Sequence, residues 1–202
     1  MNLHRAAHAH YYSSHQELVR IRPRVLFFEN EFEFPEIMSF VNNTVKQYDL
    51  GIVTFDCTHS FSDGLSILVK DSLPLPSAFV LGTRSDDPNA GSQGKFAPSS
   101  EWMGVPFMRV NPILDWTYGH VWHLLRLFKL PYCSLYDKGY TSLGNMKDTV
   151  PCSALARPQG GFWPAYMLTN YSHERAGRTK KKKYCQDCIN ERPPYRREKN
   201  DC

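Results

Sequence analysis

The sequence runs to 202 residues, which at ~100 to 200 residues per domain fits one domain with a short appendage and excludes two large domains. It is 42% hydrophobic, 22% charged and 13% aromatic, enough apolar mass for a core, and this excludes a disordered, collagenous or coiled-coil chain. The formal charge of +4 is 24 Lys+Arg against 20 Asp+Glu, but residues 1–179 hold 16 of each sign and residues 180–202 hold 8 against 4, so the body is neutral and offers no basic stripe to nucleic acid.

Apolar stretches such as Val25 to Phe28 and Ala78 to Leu81 are far shorter than the ~20 residues of a membrane-spanning helix, so no transmembrane segment is expected. The first fifteen residues lack the apolar run of a secretory signal. Cys57, Cys133, Cys152, Cys185, Cys188 and Cys202 lie in a chain long enough to hold a core without disulfides, which predicts reduced thiols and a cytoplasmic location.

In chain order, Leu3 to about Leu18 reads as a His-rich helix and Val25 to Phe28 as a buried strand. Phe34, Ile37, Val41, Val45 and Tyr48 recur at three and four, predicting a helix opened by Pro35 and stopped by Gly51. Gly51 to Asp56 reads as a second strand. Ser62-Asp63 is expected to cap a helix bearing Leu65, Leu68 and Val69, and Ala78 to Leu81 reads as a third strand. The alternation predicts an α/β fold with a mostly parallel sheet flanked by helices, and such folds gather ligands at the carboxyl ends of their strands.

The long polar segment from Gly82 to Trp102 is expected to be a functional loop, followed by a fourth strand at Phe107 to Val110. A helix capped by Thr117 follows, with Tyr118, Val121, Trp122, Leu125 and Phe128 on its apolar face, ending at Leu130-Pro131. From Pro131 to Asn170, dense Pro, Gly and aromatics without periodicity predict ordered irregular structure folded over the domain. The domain is therefore drawn over 1–179, with a basic, disordered tail over 180–202.

No GxSxG elbow, HExxH helix, Walker loop or GxGxxG turn is present. The sharpest polar cluster is Gly82-Thr83-Arg84-Ser85-Asp86-Asp87-Pro88, which joins a bidentate anion binder to two carboxylates just beyond the third strand. Its plain alternative is a solvated Asx-Pro turn. Arg175 and Arg178 in HERAGR would share one helical face and clamp a phosphate, or else form a solvated helix end. Cys185-x-x-Cys188 lacks two further ligands at zinc-motif spacing, and the Lys180 to Lys183 run reads as a solvated tail with nuclear targeting as the alternative. His4, His8 and His10 lack a partner motif and read as an incidental helix face.

Three segments taken together, VLGTRSDDP, PFMRVNPILDWTYGHVWHLLRLFKLPYCSLYDKGYTSLG and WPAYMLTNYSHERAGR, closely resemble the eukaryotic FAD synthase family. These FMN adenylyltransferases are built on the phosphoadenylylsulfate reductase type of ATP pyrophosphatase fold, and the resemblance extends to about Arg178. Glu33-Phe34-Pro35-Glu36 also resembles the F-P-E turn of that superfamily. The resemblance implies transfer of AMP from ATP to FMN, giving FAD and pyrophosphate with Mg²⁺.

It further implies that Gly82, Arg84, Asp87 and Pro88 form a flavin motif and that Arg175 and Arg178 lie near the flavin phosphate. Asp115 and Trp116 would line the same pocket, with Asp115 and Arg178 as the catalytic candidates, no metal ligand assigned, and Trp122 in the core. A helix cap is the alternative for Asp115. FMN and ATP are the implied small-molecule partners. In the family a Gly-rich loop resembling N-G-G-K-D precedes the helix that here begins near Leu3, so the resemblance implies a truncated family member that handles ATP poorly. The alternative is an inactive or regulatory flavin-binding remnant. A reductase of adenylylsulfate would need a nucleophilic tail cysteine, for which Cys185, Cys188 and Cys202 are candidates.

Overall fold

Nine helices and strands follow one another in a computed structural model that describes residues 2–11, 24–55, 61–88, 90–91 and 93–179. They are α1 (Asn2–Tyr11), β1 (Arg24–Phe28), α2 (Pro35–Tyr48), β2 (Gly51–Phe55), α3 (Phe61–Ser72), β3 (Ala78–Val80), β4 (Phe96–Pro98), β5 (Met108–Val110) and α4 (Tyr118–Leu127). β1 pairs with β2 in parallel, from Arg24↔Gly51 to Phe28↔Phe55. β3 pairs with β5 in parallel, and β5 pairs with β4 in antiparallel register, giving the order β3-β5-β4. Among the described residues no hydrogen-bonded ladder joins the two sheets.

The parallel α/β reading holds, with corrections of detail. β4 lies inside the segment expected to be loop; three residues ending in Pro98 give no alternation to read, and Pro is tolerated there because β4 is an edge strand. α2 is stopped by Asp49 at φ 48° rather than by Gly51, which begins β2. Short polar residues such as Asp enter the left-handed region locally, so this C-cap did not require the glycine. Ser62 and Asp63 lie within the first turn of α3 rather than capping it. α4 ends at Leu127, short of Leu130-Pro131, where Phe128 and the left-handed Lys129 at φ 50° close it.

Thr117 caps α4 as expected: its hydroxyl accepts from the His120 backbone N–H at 3.2 Å, and His120 Nδ1 accepts from the Thr117 N–H at 3.2 Å. Leu65 and Val69 of α3 pack with Phe79, Phe107, Leu26 and Phe28, so side chains of both sheets meet in one core. Tyr118 and Trp122 of α4 pack against Cys152, Leu155, Ala165 and Leu168, while Phe34 packs against Cys133 and Leu135. The irregular segment beyond α4 thus wraps over α2 and α4 through short 3-10 turns at Ser134–Lys138, Ser153–Leu155 and Ala165–Met167, which matches the expectation for it. Arg5 docks α1 on α2 by donating to the Tyr48 carbonyl at 3.0 Å.

No described helix is long and apolar enough to cross a membrane. Cys57, Cys185, Cys188, Cys202 and the Lys180 to Lys183 run lie outside the described residues.

Candidate functional site

β3 delivers the chain to its carboxyl end, where the Leu81 N–H donates to the Val110 carbonyl at 2.9 Å and the Ser85 N–H to the Leu114 carbonyl at 2.7 Å. Around the second anchor the backbone turns on Asp87, whose carboxylate accepts from the Arg84 N–H at 2.8 Å while its own N–H donates to the Arg84 carbonyl at 3.0 Å. The segment from Arg84 to Asp87 is thus a turn closed by both the backbone and the side chain of Asp87. The turn carries Arg84 inward to 7% exposure. Arg84 Nη2 donates to Asp87 Oδ1 at 3.1 Å and to Glu174 Oε1 at 2.6 Å.

Glu174 arrives from a distant segment fixed by its own bonds. The Thr141 hydroxyl donates to the Glu174 carbonyl at 2.6 Å, and the Val150 N–H donates to the Gly177 carbonyl at 2.9 Å. A side chain at Gly177 would strike the Val150 carbonyl, so this close backbone approach needs a residue without a Cβ. Burial pushes the Glu174 carboxyl above its usual range, with the Arg84 bond opposing and Asp87 adding to the rise. For Arg84 burial opposes the charge, but the two carboxylates outweigh it and hold the guanidinium protonated.

Arg84 and Glu174 form the polar end of a cleft of about 220 Å³ that also meets Gly82 and Thr141 and is walled by Ile113, Tyr118, Val121, Trp122, Leu125 and Tyr136. The Tyr118 hydroxyl donates to the Ala165 carbonyl at 2.9 Å, and burial pushes the Tyr136 phenol up to about 12. Both walls are therefore neutral at physiological pH. A larger groove of about 410 Å³ lies across Tyr118 and Trp122, bordered by His123, Arg126, Tyr166 and Tyr171. None of the residues expected to bind ligand borders it.

The predicted residues divide. Gly82 and Arg84 line the cleft, and Asp87 braces Arg84. Pro88 is exposed in the following turn. Asp115 is exposed and paired with Lys95 at 3.1 Å, whose hydrogen bond holds the carboxyl below its usual range. It does not cap α4. Trp116 is half-buried, edge-on to His120 at 6.4 Å.

Arg175 and Arg178 do not share a helical face, because the chain from Glu174 to Gly177 is a series of turns after the short 3-10 turn at Tyr171–His173. Arg175 is exposed. Arg178 is half-buried, donating from Nη1 to the Leu143 carbonyl at 2.6 Å with Nη2 at 3.5 Å from Asp148. Its guanidinium lies where a Cβ on Gly144 would be. Glu174, Thr141 and Tyr136 were not singled out from the sequence, although all three lie inside quoted segments, Glu174 in HERAGR and the other two in the segment from Pro106 to Gly144.

Among the described residues no three His, Cys, Asp or Glu side chains converge as a metal site, so these residues do not themselves form a cage for Mg²⁺. His4 and His8 stack at 6.5 Å on α1.

Residues 74–151 match the family described as phosphoadenosine phosphosulfate reductase domain. The chain is 41% identical over 147 residues to a probable FAD synthase of Schizosaccharomyces pombe, a match covering 72% of this chain and 54% of that protein. It is 38% identical over 159 residues to a probable FAD synthase of Caenorhabditis elegans, covering 74% of this chain and 29% of that protein. The chain thus spans about half or less of the length of these relatives. In fold it is similar to the Candida glabrata FMN adenylyltransferase in complex with FMN and the ATP analogue AMPCPP, with a TM-score of 0.76 at 22% identity over 86% of this chain and 72% of that one. The chain is thus similar in sequence to probable FAD synthases and, over residues 74–151, to the phosphoadenosine phosphosulfate reductase domain, and it shares the fold of the Candida glabrata FMN adenylyltransferase.

Proposed function

We propose that this chain acts in FAD synthesis as an FMN adenylyltransferase, and that the cleft at the carboxyl end of β3 receives the flavin ring. The observation that carries the reading is the convergence of Gly82, Arg84 and Glu174, from two segments of the family resemblance, on one aromatic-walled cleft. Aromatic and apolar walls with a few polar groups at one end suit a planar ring bearing carbonyl oxygens. The volume of about 220 Å³ is below the ~300 Å³ at which whole-ligand pockets begin, so it suits part of FMN rather than all of it. A Cβ at Gly82 would meet nothing within 4 Å, so the space beside this lining position is open.

The phosphate end is assigned to Arg175 and Arg178, the second anchored by Leu143 and Asp148 and the first exposed to solvent. FMN brings its own nucleophile, because a phosphate monoester with a second pKa near ~6 is largely dianionic at neutral pH. Its oxygen forms a bond to the α-phosphorus of ATP, the bond from that phosphorus to the bridging oxygen breaks, and pyrophosphate leaves with the electron pair. No protein base is needed. The chain's contribution is to place the two polyanions in line and offset developing charge.

Mg²⁺, where it takes part, would neutralise phosphate oxygens. Asp115 is a second candidate for the catalytic region, exposed and held charged by Lys95. Cys133 and Cys152, both buried and unpaired, accord with a cytoplasmic location. The test is FAD formation from FMN and ATP, run with this chain and with a longer chain carrying an N-G-G-K-D loop ahead of it. FAD formed by either supports adenylyl transfer; flavin binding with no FAD from either supports a binding-only protein.

A further inference from the structure

Two carboxylates confront one guanidinium at the polar end of the cleft. Both side-chain bonds of Arg84 leave from Nη2, one to Asp87 and one to Glu174, which occupies the hydrogens of that nitrogen. Among the described residues neither Nη1 nor Nε of Arg84 has a bonded partner, while the side chain is 9% exposed and borders the cleft. Asp87 belongs to the same turn and is held by the Arg84 backbone N–H, so it cannot by itself fix the far end of a long side chain. Glu174 can, because its backbone is tied through Thr141 and the Val150–Gly177 bond to a different part of the fold.

We infer that Glu174 is a positioning residue for flavin binding: by engaging Nη2 of Arg84 it turns the remaining N–H donors of that guanidinium into the cleft. This rests on the cleft being the flavin site. The Arg84–Glu174 bond also joins the loop after β3 to the segment bearing Arg175 and Arg178, which fixes the two ends of the site relative to each other.

The test is a double-mutant cycle on flavin affinity, read by fluorescence quenching of FMN and of riboflavin, with wild type, Glu174→Gln, Arg84→Met and the double variant. Near-ultraviolet circular dichroism establishes that each is folded. Glu174→Gln is expected to weaken FMN and riboflavin alike by about tenfold, the scale of one charge-assisted hydrogen bond. In the Arg84→Met background the same change is expected to alter affinity by less than about twofold, because the group it positions is gone. A loss that persists undiminished in that background, a loss for FMN alone, or wild-type affinity in Glu174→Gln overturns the inference. Should Arg84→Met fail to fold, Arg84→Lys replaces it, keeping the charge without the planar fork. If folded wild type binds neither flavin, the reading of the cleft itself fails and this inference falls with it; if wild type binds and Glu174→Gln binds equally, this inference alone fails.

Discussion

Arg178→Ala perturbs stability and ligand selectivity separately. The guanidinium donates to the Leu143 carbonyl at 2.6 Å and lies 3.5 Å from Asp148, with side chains 24% and 17% exposed. Truncation leaves the Leu143 carbonyl without that donor, a cost of about 1 to 3 kcal/mol in unfolding free energy. Asp148 keeps the Thr149 hydroxyl at 2.8 Å, so its share of the loss is smaller. On the ligand side, losing one guanidinium-to-phosphate contact costs about 1.5 to 3 kcal/mol, or roughly ten- to 150-fold in FMN affinity. Riboflavin has no phosphate to lose. The assay pairs urea unfolding with flavin titrations under conditions where the variant is folded. Equal weakening of FMN and riboflavin would refute the phosphate role and leave Arg178 as a packing residue.

Trp122→Ala should lower unfolding free energy by about 3 to 5 kcal/mol in urea denaturation, since this 6%-exposed ring meets Tyr132, Tyr136, Tyr166 and Tyr118 at centroid distances of 5.1 to 6.1 Å. A loss under about 1 kcal/mol would contradict its core role. Thr117→Ala removes one half of the capping box of α4 and should cost about 1 kcal/mol by the same measurement, with no change showing that the box contributes nothing. Glu174 gives a pH signature. A carboxyl whose pKa is higher folded than unfolded binds its proton more tightly when folded, so its contribution is present below the ordinary value of 4.5 and is lost as pH rises through the folded value. The stability of wild type relative to Glu174→Gln should therefore fall as pH is raised above 4.5, and a rise would reverse the sign assigned to burial.

Strong local signals carried much of the fold. Three- and four-residue spacing from Ile37 to Tyr48 predicted α2, Thr117 marked the start of α4, and the apolar runs at Val25 and Ala78 predicted β1 and β3. What was missed depends on contacts distant in sequence. β4 is a strand only because Phe96 to Pro98 lies against β5, and Asp49 closes α2 by entering a conformation that its residue type merely permits. At the candidate site, Gly82, Arg84 and Asp87 were legible because they are adjacent and follow a strand. Glu174 was not, because its meaning lies in an ion pair across 90 residues. Arg175 and Arg178 were expected on a helix that does not form; a spacing of three has no facing consequence in a run of turns.

The most direct test of the central claim is a fluorescence titration of FMN with the folded chain, repeated with Arg84→Met. The account predicts saturable quenching with Kd below ~100 µM for wild type, competition by riboflavin, and affinity weakened by about tenfold or more in the variant. No quenching by folded wild-type protein, or quenching unchanged by Arg84→Met, would contradict it.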